Sequence, residues 1–377
     1  MHLGELPTPC LLLDRAKLER NLARMRTRLR RFGVSLRPHL KTAKSIEVAR
    51  RALGDEPGGG ITVSTLGEAA YFLSHGIGDI VYAVGIAPGK LDAVAGLLRR
   101  GAQVTVILDS VLAAQAVVER GATLGVHFPV LIEIDSDGAR AGVAPDDDAL
   151  VAIGRVLDEG NGAELRGVLT HAGASYHCTS IAGIRAMAEQ ERRCAVSAAE
   201  TLRAAGLKAP VVSVGSTPTM TFADRLDGVT EARPGVYMFH DLVMAGLGVC
   251  EIDDIALSVL TSVIGHHARS GQLIVDAGWM ALSRDQGTSD QSVNHGYGLV
   301  CDSNGRPIGD LIVRETNQEH GLVGRRDGQP LHVGRYPVGT RLRVLPVHAC
   351  STAAMHHEYR VVEDGRADLT WSRCGGW

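Results

Sequence analysis

The strongest constraint on the fold is an alternation, over roughly the first 245 residues, of short apolar or β-branched runs with longer amphipathic segments. The runs are VSLRPH, ITVST, DIVYAVG, QVTVILD, PVLIEID, ELRGVLTHAG, APVVSVGS and GVTEARPG. Between them lie helical patterns such as GEAAYFLSHG, APGKLDAVAGLLRRG, SVLAAQAVVERG and DDDALVAIGRVLDEG, and a long one near 181–205. A helix also precedes the first run. Asp14 stands where an N-cap is needed, Leu18, Leu22, Met25, Leu29 and Phe32 step by three and four along one face, and Gly33 follows as a stop. Strands apolar on both faces, joined by helices, imply a parallel α/β sheet. About eight such units fit a closed (β/α)8 TIM barrel over 15–245, with its chemistry at the C-terminal ends of the strands. A doubly wound open sheet is the rival architecture.

Beyond residue 245 the pattern changes. IALSVLTSVIGHHA, GQLIVDAG, IGDLIVRE and GTRLRVLPVHA read as strands, separated by turns such as SNG and DGQP. A second, mainly β domain over 246–377 is expected, joined by the extended opening segment 1–14, LPTPCLLLD included.

Composition enters as exclusion. A formal net charge of −3 gives no excess of positive charge to draw in nucleic acid or an anionic membrane. Apolar runs such as VLIEI are far too short to span a bilayer, and MHLGELPTPC shows no secretion signal. Seven irregularly spaced cysteines do not form a disulfide framework; reduced cysteines in a cytoplasmic protein are the expectation.

Several strand ends carry residues with chemistry. Lys41 follows VSLRPH, where a barrel would place its amine at the active-site mouth, able to form a Schiff base with an aldehyde cofactor. Lys44 competes for that role, and spacing does not choose between them. Gly215, Ser216 and Thr217 follow VVSV and could cradle a phosphate with hydroxyls and backbone N–H groups. Gly235 is a second close-approach position one strand later. Arg140 lies past VLIEIDSDGA, where a guanidinium could face a pyridine nitrogen, and His171 and Tyr176 could flank a flat cofactor. Neither GxGxxG at a first βαβ unit nor GxxxxGK[ST] is present, which removes support for dinucleotides and nucleoside triphosphates. On the expected strand RLRVLPVHAC, His348 and Cys350 are two apart, so a period of two turns both to one face. Nitrogen plus sulfur suits zinc better than magnesium and leaves coordination positions for water or a substrate hydroxyl. His320, His356 and His357 are further candidates near such a site.

RPHLKTAKS resembles the pyridoxal-phosphate (PLP) lysine segment of the D-threonine aldolase and eukaryotic-type D-serine dehydratase family, whose barrel is of alanine racemase type. HAGASY, VSVGSTPT, ARPGVYMFHDLVM, DAGWMALSRD, NQEHG and LPVHAC are similar to further blocks of that family in the same order, almost end to end. The resemblance implies that Lys41 is the Schiff-base residue and that Arg140 faces the pyridine nitrogen. It assigns the phosphate to Gly215, Ser216, Thr217, Gly235 and Tyr237, and a divalent metal to His348 and Cys350, zinc first, with manganese or magnesium as alternatives. Ala43 stands where many relatives carry histidine. Aldolase relatives tend to have aspartate at the second metal position and dehydratases cysteine, so Cys350 leans towards dehydration. A homodimer is implied as well.

The reaction so implied is β-elimination from a D-configured β-hydroxy amino acid. D-threo-3-hydroxyaspartate would give oxaloacetate and ammonia, and D-serine would give pyruvate and ammonia. Aldol cleavage to glycine and an aldehyde uses nearly the same site and is the first alternative; a non-catalytic PLP-binding protein is the alternative of a different class. A substrate with a distal carboxylate needs a cationic or hydrogen-bonding partner, for which Arg284 and His320 are the candidates, Arg284 competing with a salt bridge to Asp285 or another surface acid.

Overall fold

The computed structural model describes residues 1–54 and 59–377. The chain folds into two compact units, Met1–Ala23 with Val236–Gly375, and Arg24–Gly235 with Gly376–Trp377. The boundaries fall at 23/24 and 235/236, where sequence pattern places them at 14/15 and 245/246. The first shift has a simple cause: helix Arg15–Phe32 is continuous, and the boundary between the units falls within it. Its sequence reading holds except at Phe32, which is half-buried. The Asp14 carboxylate accepts the Lys17 N–H at 3.0 Å, Leu18, Leu22, Met25 and Leu29 are buried, and Gly33 takes φ +67°.

The second unit is the (β/α)8 barrel. Eight strands, Ser35–Leu36, Ile61–Val63, Asp79–Gly85, Gln103–Leu108, Phe128–Ile134, Ala163–Thr170, Val211–Val214 and Glu231–Ala232, form one sheet in which every pairing is parallel. A parallel bridge between His39 and Thr62, with Leu40 N–H donating to the Thr62 carbonyl at 2.8 Å, closes the ring and removes the open-sheet alternative. Val81, Ile107, Leu131 and Leu169, from four successive strands, form one apolar cluster. Next to it the barrel carries a polar floor. The Arg37 guanidinium pairs with Asp79 at 2.9 Å and with Glu231 at 2.6 Å. Glu231 accepts the Ser213 hydroxyl at 2.5 Å, and buried Arg233 donates to the same hydroxyl at 2.5 Å.

The first unit is built on a nine-stranded, mostly antiparallel sheet. Leu257–His267 pairs with Arg341–Leu345, with Gln272–Val275 and with the opening strand Cys10–Asp14, so six of the strands close on themselves. Cys10–Asp14 also pairs in parallel with Glu358–Glu363, which seats the chain's first strand in the β sheet.

One local expectation fails. RLRVLPVHAC is not a strand to its end: the strand stops at Leu345, His348 is the N-cap of helix Ala349–Ala354, and Cys350 lies inside that helix. Pro346 has no N–H for the ladder, and the Pro346 and Val347 carbonyls accept the N–H groups of Leu242 and Val243 at 3.1 and 3.2 Å. The chain therefore leaves the sheet two residues before His348, and period-two alternation does not relate His348 to Cys350.

Candidate active site

The barrel's strand ends define two surfaces. At the N-terminal ends, a cavity of about 310 Å³ is lined by Arg37, Asp79, Gln103, Glu164, Val211 and Glu231, residues that open their strands or lie close to the opening. Barrel chemistry sits at the opposite end, and Lys41, Arg140, His171 and Gly215 each follow a barrel strand there.

Lys41 occupies a turn directly after the His39 bridge and is exposed. Among the described residues its amine has no hydrogen-bond or ion-pair partner. Lys44 is committed elsewhere: at φ +47° it turns its ammonium to the buried carboxylate of Glu68 at 3.2 Å. The structure thus separates two lysines that spacing leaves equal. His171, just beyond strand Ala163–Thr170, shares a hydrogen bond between Nδ1 and the Gly215 carbonyl at 2.9 Å. Its ring lies 6.0 Å from that of Tyr176. Burial, helped by the positive charges of Lys41, Arg233 and Arg140, pushes the His171 pKa down to about 4, while the Gly215 bond opposes the shift. His39 is driven the same way by burial and then by Lys41. These fields bring Lys41, Arg140, His171 and Arg233 into one electrostatic neighbourhood. Arg140 itself is exposed, in the loop after Phe128–Ile134.

The phosphate candidates are buried at the start of helix Thr217–Phe222. Ser216 is its N-cap and accepts the Thr219 N–H at 3.2 Å. Gly215 has φ +130°, and a Cβ there would meet the Arg233 nitrogen at 2.8 Å, so backbone crowding is enough to require glycine. Its N–H is already accepted by Glu191 at 3.1 Å and is not a phosphate donor. Gly235 approaches the His39 carbonyl, 3.0 Å from a built Cβ. Tyr237 is buried in the short turn Val236–Met238, within the other compact unit.

In that unit His348 and Cys350 meet, although by helix-start geometry rather than strand alternation: their side chains hydrogen-bond to each other. His348 Nδ1 also bonds the Asp285 carboxylate at 2.6 Å, with the Ser351 hydroxyl 3.0 Å away. Burial works against a charged imidazole, but the Asp285 bond and the Cys350 contact outweigh it and raise the His348 pKa to about 11. The helix start is held by buried Asp241, which accepts the Ala349 N–H at 2.9 Å and the Met244 N–H at 2.9 Å. Arg284 lies over the Trp279 ring at 4.7 Å, while its neighbour Asp285 serves His348, so the expected Arg284–Asp285 competition does not arise. His320 is exposed on a turn that hydrogen-bonds, through the Asn317 carbonyl, to the Trp279 N–H at 3.0 Å. His356 is occupied by the Ala281 carbonyl at 2.9 Å.

The donor set fits a metal. With Nδ1 taken by Asp285, the Nε2 of His348 would be left to coordinate an ion, and Cys350 would supply a thiolate. Among the described residues no group of three or more His, Cys, Asp or Glu is arranged to hold an ion, so further positions fall to water or substrate. Pattern does not reveal Asp285, Asp241, Arg233 or Glu191. Only Glu191 leaves a trace, as an acid on the apolar stripe of a long helix.

Residues 13–242 match the alanine racemase N-terminal domain family, and residues 256–362 match the putative serine dehydratase domain. The chain belongs to the alanine-racemase-fold PLP enzymes that couple this barrel to that β domain. Within them it is 52% identical, over 99% of its length and 98% of the relative's, to D-threo-3-hydroxyaspartate dehydratase of Delftia sp. (strain HT23). It is 30% identical over 96% of its length, and 95% of the other, to D-serine dehydratase of Dictyostelium discoideum. A solved mutant of D-threo-3-hydroxyaspartate dehydratase in the metal-free form superposes with a TM-score of 0.98 at 50% identity, each chain fully covered.

Proposed function

We propose that this chain is a PLP- and divalent-metal-dependent dehydratase that converts D-threo-3-hydroxyaspartate to oxaloacetate and ammonia, and acts on D-serine more slowly. The observation that carries this reading is the full-length 52% identity to an enzyme named for that substrate. The unpartnered amine of Lys41 and the His348–Cys350 pair agree with it.

Bound PLP supplies an electron sink for a carbanion at Cα, and the metal a Lewis acid for the leaving hydroxyl. The protein's own parts are these. Lys41 would hold the cofactor aldehyde, and its amine would serve as the base for the substrate Cα proton. Arg140 would serve the pyridine nitrogen, and His171 and Tyr176 would line the sides of the ring. Ser216 and Thr217 bind the phosphate, with Gly215 and Gly235 allowing close approach and Tyr237 as a further contact. His348 and Cys350 hold the metal, zinc on the strength of nitrogen and sulfur donors. Arg284 is the partner for the distal carboxylate, its guanidinium held over Trp279, with His320 on the adjoining turn. An unpaired carboxylate in a closed pocket is penalised, so this contact discriminates between substrates. The chain works as a cytoplasmic homodimer. None of the seven cysteines is in a disulfide, which suits a reducing compartment, and among the described residues no helix is long and apolar enough to cross a membrane.

The test incubates zinc-loaded enzyme with D-serine, D-threonine and the four 3-hydroxyaspartate stereoisomers, measuring ammonia, 2-oxo acids, glycine and aldehydes. The highest kcat/KM is expected for D-threo-3-hydroxyaspartate, and R284A should lower that preference more than it lowers D-serine turnover. Stoichiometric glycine would move the enzyme to the aldolases. Borohydride should fix PLP on Lys41, and an adduct on Lys44 would reject the site.

A further inference from the structure

Helix Ile181–Ala204 buries Ile184, Ala188, Ala195, Ala198 and Leu202 on one stripe, and in the middle of that stripe is Glu191, fully buried. A carboxylate there is costly unless its oxygens are satisfied. One oxygen accepts two backbone N–H groups, those of Ala172 at 2.9 Å and Gly215 at 3.1 Å; the other accepts the Thr219 hydroxyl at 2.7 Å. Ala172 belongs to the loop that carries His171 and Ser175, while Gly215 and Thr219 bracket Ser216 and Thr217. The two loops also touch directly, Ser175 Oγ lying 2.9 Å from Ser216 Oγ. Ser216 and Thr219 exchange reciprocal bonds at 3.1 and 3.2 Å, so Thr219 is shared between the N-cap and the carboxylate.

We propose that Glu191 is the positioning residue of the cofactor-phosphate site, its carboxylate bracing the loop after Ala163–Thr170 to the turn after Val211–Val214 so that Ser216 and Thr217 are fixed before phosphate arrives. This rests on the PLP reading above. Glu191 reaches no ligand itself. It takes up the N–H of Gly215 and, through Thr219, holds the turn that carries Ser216 and Thr217, which removes the ordering cost from binding. The geometry makes the effect specific: a ligand without a phosphate gains nothing from the brace.

The experiment titrates apo-protein with PLP and, separately, with pyridoxal, which lacks the phosphate, following the absorbance of the bound aldehyde. E191A is expected to weaken PLP binding about tenfold or more while leaving pyridoxal affinity within about twofold. E191Q keeps an oxygen for both backbone N–H groups, so it should retain PLP affinity within about threefold. T219V, which removes the third arm together with the acceptor of the Ser216 N–H and guards against a misfolded E191A, should lose several-fold for PLP and nothing for pyridoxal. Variants that weaken both ligands alike, or neither, would overturn the brace, as would an E191Q no better than E191A. Failure of the wild-type protein to bind PLP at all would instead reject the cofactor reading.

Discussion

At the scale of single residues, the site depends on partners that fix the orientation of reactive groups. Asp285 accepts from one ring nitrogen of His348, which on the metal reading proposed above would leave the other to coordinate. Removing it with D285A should lower metal affinity about 10- to 100-fold, read as the dissociation constant in a competition with a chelator of known affinity. D285N keeps a hydrogen-bonding group there and should fall between. Equal metal retention in wild type and D285A would show that the bond is incidental. Lys41 and Lys44 make the complementary point. Both are plausible from their positions after an extended run, and the ion pair of Lys44 with buried Glu68 is what distinguishes them. No local pattern encodes that pair, because Glu68 lies on a separate helix, Leu66–Ser74.

Among the elements, the barrel strands are legible because each is an apolar run between turn signals. The segment that carries His348 and Cys350 is not. A histidine and a cysteine two apart look like one face of a strand, whereas the proline before them and the carbonyl bonds to Leu242 and Val243 turn the chain into a helix start. The pair survives the change of geometry, since the N-cap side chain and that of the second helical residue also approach each other. The barrel floor is an element-level feature as well, joining the strand openings of Asp79 and Glu231 through one guanidinium. Burial alone would lower the Arg37 pKa, but Glu231 and Asp79 raise it overall. R37A leaves Glu231, 10% exposed, without its cation. It should cost about 3 kcal/mol of stability, measured by urea unfolding of the apo-protein. A change within about 0.5 kcal/mol would mean that Ser213 and Arg233 suffice for Glu231.

The whole molecule carries several histidines whose charged forms are disfavoured by burial. His171 and His295 are each pushed down to about 4, and His39 and His356 shift the same way. A histidine with its folded pKa below the unfolded value contributes stability that is complete above about pH 6.5 and is lost as pH falls towards the folded value. Apo-protein should therefore lose thermal stability steadily between about pH 6.5 and about pH 4. H171Q should flatten that slope, because a glutamine can keep a bond to the Gly215 carbonyl without titrating. A slope unchanged in H171Q would assign the acid sensitivity to the other histidines.

The sequence by itself determined the architecture: eight apolar runs alternating with amphipathic helices, then a strand-rich remainder with the first strand returning to it. Those features are local periodicities, and burial of periodic apolar faces leaves few topologies open. It also marked Lys41, His348, Cys350 and the Gly215–Thr217 turn as residues at the ends of elements. Tertiary structure decided which of these are available and which are held. Glu191 collects donors from positions 172, 215 and 219, Asp285 reaches His348 from a distant part of the chain, and Arg37 links two strand openings. Such bonds join side chains by distance in space and carry no period along the chain, so only the folded structure could reveal them.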